Sequence, residues 1–169
     1  MKKAKQSLYV VHFKRRRQRK TNYKKRLALL KSRIPRMVAR KSNKFFYVQF
    51  VEFSEKGDAT LATACSRELE KMGFPGKCNT PSAYLTGLLA GKRALKNGVK
   101  KFVFDVGLYS ASKGSVLFAA LKGAIDAGIS SNVSEEILPK PERIAGKHLS
   151  DSVQKSFVEV KQKILQLNV

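Results

Sequence analysis

The first fifty-one residues of this chain contain no Asp or Glu; Glu52 is the first acid. Residues 1–44 carry 18 Lys or Arg, and the stretch FKRRRQRKTNYKKR, Phe13 to Arg26, places nine of them in fourteen positions. This feature constrains folding more than any other. Like charges at that density repel one another and cannot be buried together, so the front of the chain has to be an appendage or a surface. Residues 45–169 hold the other 17 bases and all 12 acids, a net charge of only +5. The chain therefore reads as a nearly ordinary domain behind a polycationic front end: an arm over residues 1–20, ordered on binding, and a single domain over residues 21–169. At 169 residues and 43% apolar content there is enough material for one real core.

A front end of this kind calls for a polyanion, either nucleic acid or an anionic membrane. No apolar run approaches the roughly 18 residues of a membrane span. The apolar stretch SLYVVHF is too short for a secretory signal and runs straight into arginines. A mitochondrial transit peptide is also acid-poor, but here the basic run continues into PRMVARKSNKFFYVQF, which reads as folded structure. Cys65 and Cys78 form no CxxC pair and find no matching histidines in His12 and His148, so they read as free thiols of a reducing cytosol rather than zinc ligands.

Beyond the arm, Thr21 or Asn22 can cap a helix with Tyr23, Leu27 and Leu30 on one face, stopped by Pro35. RMVARKS and KFFYVQFVEF flank a Ser42-Asn43 turn and predict a β-hairpin, Asn43 tolerating the positive φ that such a turn needs. Phe46, Val48 and Phe50 give its second strand one apolar face, and DATLATACS predicts a third strand after a turn at Gly57. The hydrophobic period then changes. SRELEKMG predicts a short helix ended by Gly73. Thr80 caps a longer one, with Pro81 at its first position and Gly98 closing it. KKFVFDVG predicts a buried strand, and KGSVLFAALKGAIDAG another helix. A final helix starts near Ser150 with Val153, Phe157, Val160, Ile164 and Leu167 as one stripe. A β-meander followed by alternating helix and strand implies an α/β domain with a mixed sheet and helices on both sides of it.

No catalytic set emerges. GLLAGKR lacks the spacing of a phosphate-binding loop and lies inside a helix, where Gly87 and Gly91 are expected to let that helix pack closely on the sheet. SASKGSV precedes a helix, so its amides, Lys113 and Ser115 could hold a phosphate of a larger nucleic acid. Asp105 ends a strand, but Glu52, Asp58 and Asp126 have no motif that would join it in a metal-dependent nuclease; it is expected to cap a turn or pair with a Lys. The arginines from Arg15 to Arg19 suit phosphate and base-edge contacts, and Tyr23, Phe45 and Tyr47 could stack on unpaired bases. With no helix-turn-helix, zinc finger or basic zipper, RNA fits better than DNA.

FKRRRQRKTNYKKRLALLKS, PRMVARKSNKFFYVQ, AYLTGLLAGKRAL, FDVGLYSASKGSVLFAALKGAIDAG and PERIAGKHL occur in that order. Together they resemble the archaeal and eukaryotic branch of the large-subunit ribosomal protein eighteen family. The resemblance runs from about Phe13 to Leu149. It implies an α/β three-layer α/β/α sandwich with a mixed sheet, ribonuclease H-like in topology but without catalysis. It also implies a cytoplasmic, non-enzymatic constituent of the large ribosomal subunit. Its implied partners are 5S ribosomal RNA, large-subunit RNA and neighbouring proteins, including the 5S-binding ribosomal protein five, at the central protuberance. No cofactor, membrane or small-molecule substrate is implied.

Carried over by position, the RNA contacts are the arm residues Lys14, Arg15, Arg16, Arg17, Arg19 and Lys20, then Tyr23, Arg26 and Arg36. The hairpin residues Arg40, Lys41, Ser42, Asn43 and Lys44 follow, with Tyr109, Lys113, Gly114 and Ser115 in the loop before the helix. Tyr109, Ser110 and Ala111 stand where the archaeal form often carries His, Arg and Pro, which leaves backbone amides and Lys113 as the stronger expectation there. The eukaryotic branch has a long C-terminal extension, whereas here one helix follows the matching region, so the archaeal type is expected. The rival reading is a nuclear or chromatin-associated basic protein, with Arg15 to Lys20 as import signal and DNA clamp.

Overall fold

The computed structural model describes residues 10–167. The first nine residues of the expected arm lie outside that range. Five strands form one mixed sheet in the order β3-β2-β1-β4-β5. Strands β1 (Arg36–Lys41), β2 (Phe46–Glu52) and β3 (Ala59–Cys65) are an antiparallel meander. Strand β4 (Lys101–Asp105) joins β1 in parallel, and β5 (Ser130–Ser131) joins β4 in parallel. At two residues β5 is too short to leave a periodic signal, and the sequence reading missed it.

The described residues form six α-helices, α1 (Lys14–Arg17), α2 (Tyr23–Leu30), α3 (Thr80–Lys96), α4 (Val116–Asp126), α5 (Pro141–Ile144) and α6 (Asp151–Gln166), with 3-10 turns over Ser66–Met72 after β3 and over Glu135–Ile137. Alternation within the meander puts Met37, Ala39, Phe46, Val48, Phe50, Ala62 and Ala64 on one face, where all are buried. Helices α3, α4 and α6 supply the other half of that core through Leu85, Leu88, Leu121, Phe157, Val160 and Ile164. The helix–helix seam is closer than side chains would allow. A Cβ on Gly87 would lie 2.0 Å from the Ala120 carbonyl oxygen, and one on Gly123 would lie 2.2 Å from that of Tyr84. The glycines thus serve the contact of α3 with α4, and not the expected contact with the sheet.

Several local expectations are corrected. The hairpin turn spans four residues, Ser42 to Phe45, rather than two. The Ser42 amide and hydroxyl both donate to the Phe45 carbonyl, and the Ser42 hydroxyl accepts from the Phe45 amide, so the turn closes without positive φ at Asn43. The α3 cap is Asn79, whose side chain accepts from the Ser82 amide at 2.9 Å, in place of Thr80. One helical turn, α1, forms inside the arm at Lys14–Arg17 and ends before Arg19 at positive φ; it buries nothing. The expected third layer is thin. Helix α2 stands over the far face of the sheet, capped by Asn22, but it buries no residue and leaves Leu27 60% exposed. The physical reason is that the far face carries Arg36, Arg40 and Gln49, polar groups that take carboxylate counter-charges rather than an apolar helix.

Candidate nucleic-acid interface

That far face is the floor of a cleft. Arg36, Val38 and Arg40 of β1, Gln49 and Val51 of β2, and Thr60 of β3 line it from below. Arg15, Lys20, Lys25 and Arg26 line it from the arm and α2, and Asp105, Gly107 and Leu108 close one end. The cavity has a volume of about 320 Å³. Six cations face it against two carboxylates, Asp58 and Asp105.

The carboxylates organise the arginines. Asp58 takes Arg26 and Arg36, each at 2.8 Å. Asp105 takes Arg36 at 3.1 Å and Arg40 at 3.6 Å, while its other role is to accept from the Gly107 amide at 2.7 Å and cap the turn after β4. The expected turn cap is therefore present, and the expected Lys partner is replaced by two arginines. Arg40 also donates to the backbone carbonyls of Ala39 and Asp105. Gly107, at φ +63°, permits this approach, since a Cβ there would lie 2.9 Å from the Arg40 guanidinium carbon.

Arg36, expected among the RNA contacts, is first of all a support for the cleft. It is only 4% exposed and its terminal nitrogens are committed to both aspartates. A buried guanidinium needs such partners, because burying a lone charge is prohibitively costly. Its Nε makes no hydrogen bond among the described residues.

Two further predicted segments adjoin the cleft along the chain. Arg40 leads into the exposed hairpin tip, Lys41, Ser42, Asn43 and Lys44. Leu108 leads into Tyr109, whose hydroxyl donates to the Lys41 carbonyl at 2.9 Å while the Lys41 ammonium sits 5.6 Å from the centre of its ring. Hairpin and loop are thereby tied together. Between them opens a second concavity lined by Lys41, Tyr109, Ser115 and Arg143 among others; Arg143, on α5, was not singled out from sequence. Lys113 is exposed at its edge and pairs loosely with Glu136 at 3.6 Å. The α4 N-terminus has no acidic residue in its first turn to satisfy its dipole, and the buried Ser115 hydroxyl has no hydrogen-bond partner among the described residues.

Of the predicted stackers, Tyr23 packs edge-on against Phe13 at 5.4 Å, Phe45 lies under the Arg67 guanidinium at 4.5 Å, and Tyr47 is exposed on the open face of β2. The arm residues Lys14, Arg15, Arg16, Arg17, Arg19 and Lys20 are all exposed, and Arg15 is steadied by its bond to the Thr21 hydroxyl at 2.9 Å. No described helix is long and apolar enough to cross a membrane, and the described residues hold no cluster of His, Cys, Asp and Glu fit for a metal.

These features define a class: a small, strongly basic α/β protein with an apolar helical side and a polar, cation-lined side. Comparison with known proteins names it further. The family model described as ribosomal large subunit proteins 60S L5 and 50S L18 matches residues 7–101. Large ribosomal subunit protein uL18 of Korarchaeum cryptofilum (strain OPF8) is 52% identical over 153 residues, covering 90% of this chain and 78% of that protein. The chain belongs to the uL18 family of large-ribosomal-subunit proteins, in its archaeal form. It is a ribosomal protein of the large subunit and not an enzyme.

Proposed function

We propose that this chain binds 5S ribosomal RNA and helps attach it to the large-subunit RNA at the central protuberance, beside the 5S-binding ribosomal protein five. The observation that carries this reading is that the arm lines the cleft, the cleft adjoins the hairpin tip at Arg40 and the loop at Leu108, and the Tyr109 hydroxyl ties loop to hairpin. Together they bring the predicted cations of a chain of this family close to one another. The strand order β3-β2-β1-β4-β5 also supports a ribonuclease H-like topology.

Each part has a physical task. The exposed arm cations neutralise crowded phosphates, which supplies affinity with little sequence preference. The hairpin tip, pre-shaped by its Ser42 bonds, and the loop tied to it by Tyr109 present a rigid pair of contacts that read RNA shape. Arg26 and Arg40 are held in place by Asp58 and Asp105, so they lose less freedom on binding than mobile surface side chains would. Arg36 contributes by holding that frame together.

The test is competition binding at about 150 mM salt, with labelled 5S RNA challenged by transfer RNA and by duplex DNA. The intact chain and a version lacking residues 1–20 are compared. Clear preference for 5S RNA, weakened but not abolished by truncation, supports an arm that gives affinity and a domain that gives selectivity. Equal competition by all three ligands refutes the proposal, and preference for duplex DNA favours a chromatin-type protein.

A further inference from the structure

We propose that the cleft over the open sheet face is a pocket for one unpaired nucleotide, rather than a groove for phosphates alone. The inference rests on the RNA-binding reading above and adds the chemical form of the ligand. The lining falls into three zones. Arg15, Lys20 and Lys25 make a cationic wall on the arm and α2 side. Val38 and Val51 make an apolar floor on adjacent strands, and Gln49 and Thr60 bring hydrogen-bonding groups to that floor.

A nucleotide has the same three parts: a charged phosphate, an apolar ring face and a polar ring edge. A duplex backbone presents phosphates only and has no use for the floor. The size agrees, since about 320 Å³ is near the lower end of the roughly 300–1,000 Å³ of small-ligand sites and far exceeds a single phosphate. Leu108, 52% exposed at the rim, is an aliphatic group outside the hydrophobic core, placed where it can cover the outer face of a bound base. At the bottom lies the second independent sign of a missing partner. Arg36 is almost fully buried, lines the cleft and leaves its Nε–H without an acceptor among the described residues. Buried donors in native proteins are nearly always satisfied, so an acceptor on the ligand is the simplest completion.

The experiment uses the full chain, labelled with nitrogen-15, and follows its resonances during separate titrations with AMP, GMP, CMP, UMP and inorganic phosphate. The proposal expects nucleotides to shift the Gln49 side-chain amide, the Val38 and Thr60 amides and the Arg36 Nε–H. Phosphate is expected to shift the cationic wall alone. In parallel, Gln49→Ala, an exposed position that leaves the core untouched, is expected to weaken 5S RNA binding about tenfold, the scale of one base contact. Its salt dependence is expected to stay unchanged, since no charge is removed. If nucleotides and phosphate give the same shifts on lysines and arginines only, and Gln49→Ala binds as the parent does, the pocket is overturned while the RNA-binding reading stands. If the parent shows no preference for 5S RNA, that underlying reading fails, and the nucleotide titration decides the cleft by itself.

Discussion

Gly87→Ala tests the packing that holds the whole arrangement. The added methyl would start 2.0 Å from the Ala120 carbonyl oxygen and 2.7 Å from its carbon, both backbone atoms that cannot rotate away. To reach even 3.0 Å, the backbones of α3 and α4 have to part by at least 1.0 Å. Helix α3 cannot slide alone, because 13 of its 17 residues are buried, against α4 on one side and the sheet on another. Overpacking of this kind costs about 3 kcal/mol, at the upper end of the usual range because the clash is with main chain. Replacing a helical glycine by alanine returns about 1 kcal/mol. The net loss is about 2 kcal/mol, or a fall in Tm of roughly 4–8 °C for a chain of this size. Urea unfolding followed by circular dichroism measures it, with the slope unchanged so that the midpoint reports stability. A variant within about 0.5 kcal/mol of the parent would refute the argument that the glycines exist for backbone approach.

Three further outcomes are expected. Asp105→Ala removes one of the two carboxylates that neutralise buried Arg36 and should cost about 3 kcal/mol in the same unfolding assay; Arg36→Met combined with Asp105→Leu should lose less than the two single changes added together. Burial of the Tyr84 hydroxyl, and next its hydrogen bond to Asp126 and that carboxylate's charge, push its pKa up. The folded pKa then lies above the unfolded value of about 10, so this contribution is complete below about pH 10 and is lost as pH rises further; Tyr84→Phe should flatten that alkaline limb of a Tm-against-pH curve. Replacing the six Lys and Arg between Lys14 and Lys20 by Gln should lower the slope of log affinity against log salt by about four to five if each meets a phosphate of the RNA, read from filter-binding titrations at several salt concentrations.

What the sequence made legible follows from which signals are local. The Phe46-Val48-Phe50 alternation and the Phe157-Val160-Ile164 stripe are set by side-chain period, and both faces are buried as expected. Gly73, Gly98 and Gly128 mark element ends because each adopts positive φ there. The α3 cap went one residue astray because Asn79 and Thr80 are both competent caps and only the geometry of the Ser82 amide separates them. The site was legible in its charges and opaque in its wiring. An arginine run announces a polyanion, but nothing local says that Arg36, alternating with Met37, would meet Asp58 and Asp105 from distant segments and be buried by them. Arg143 escaped for the same reason, since its neighbours in the second concavity come from β1 and the α4 loop. The role of Gly87 was half legible: its spacing from Gly91 signalled close approach, but the partner depends on tertiary contact with α4.

The most direct test of the central claim is lysine-reactivity footprinting of the full chain, alone and bound to 5S RNA. The cleft, hairpin and loop are predicted to face the RNA, so Lys20, Lys25, Lys41, Lys44 and Lys113 should lose reactivity on binding. Lys71 and Lys155, exposed in the 3-10 turn after β3 and on α6, should react as in the free protein. Protection of Lys71 and Lys155 with Lys41 and Lys113 still reactive would place the RNA on the helical side and contradict the account.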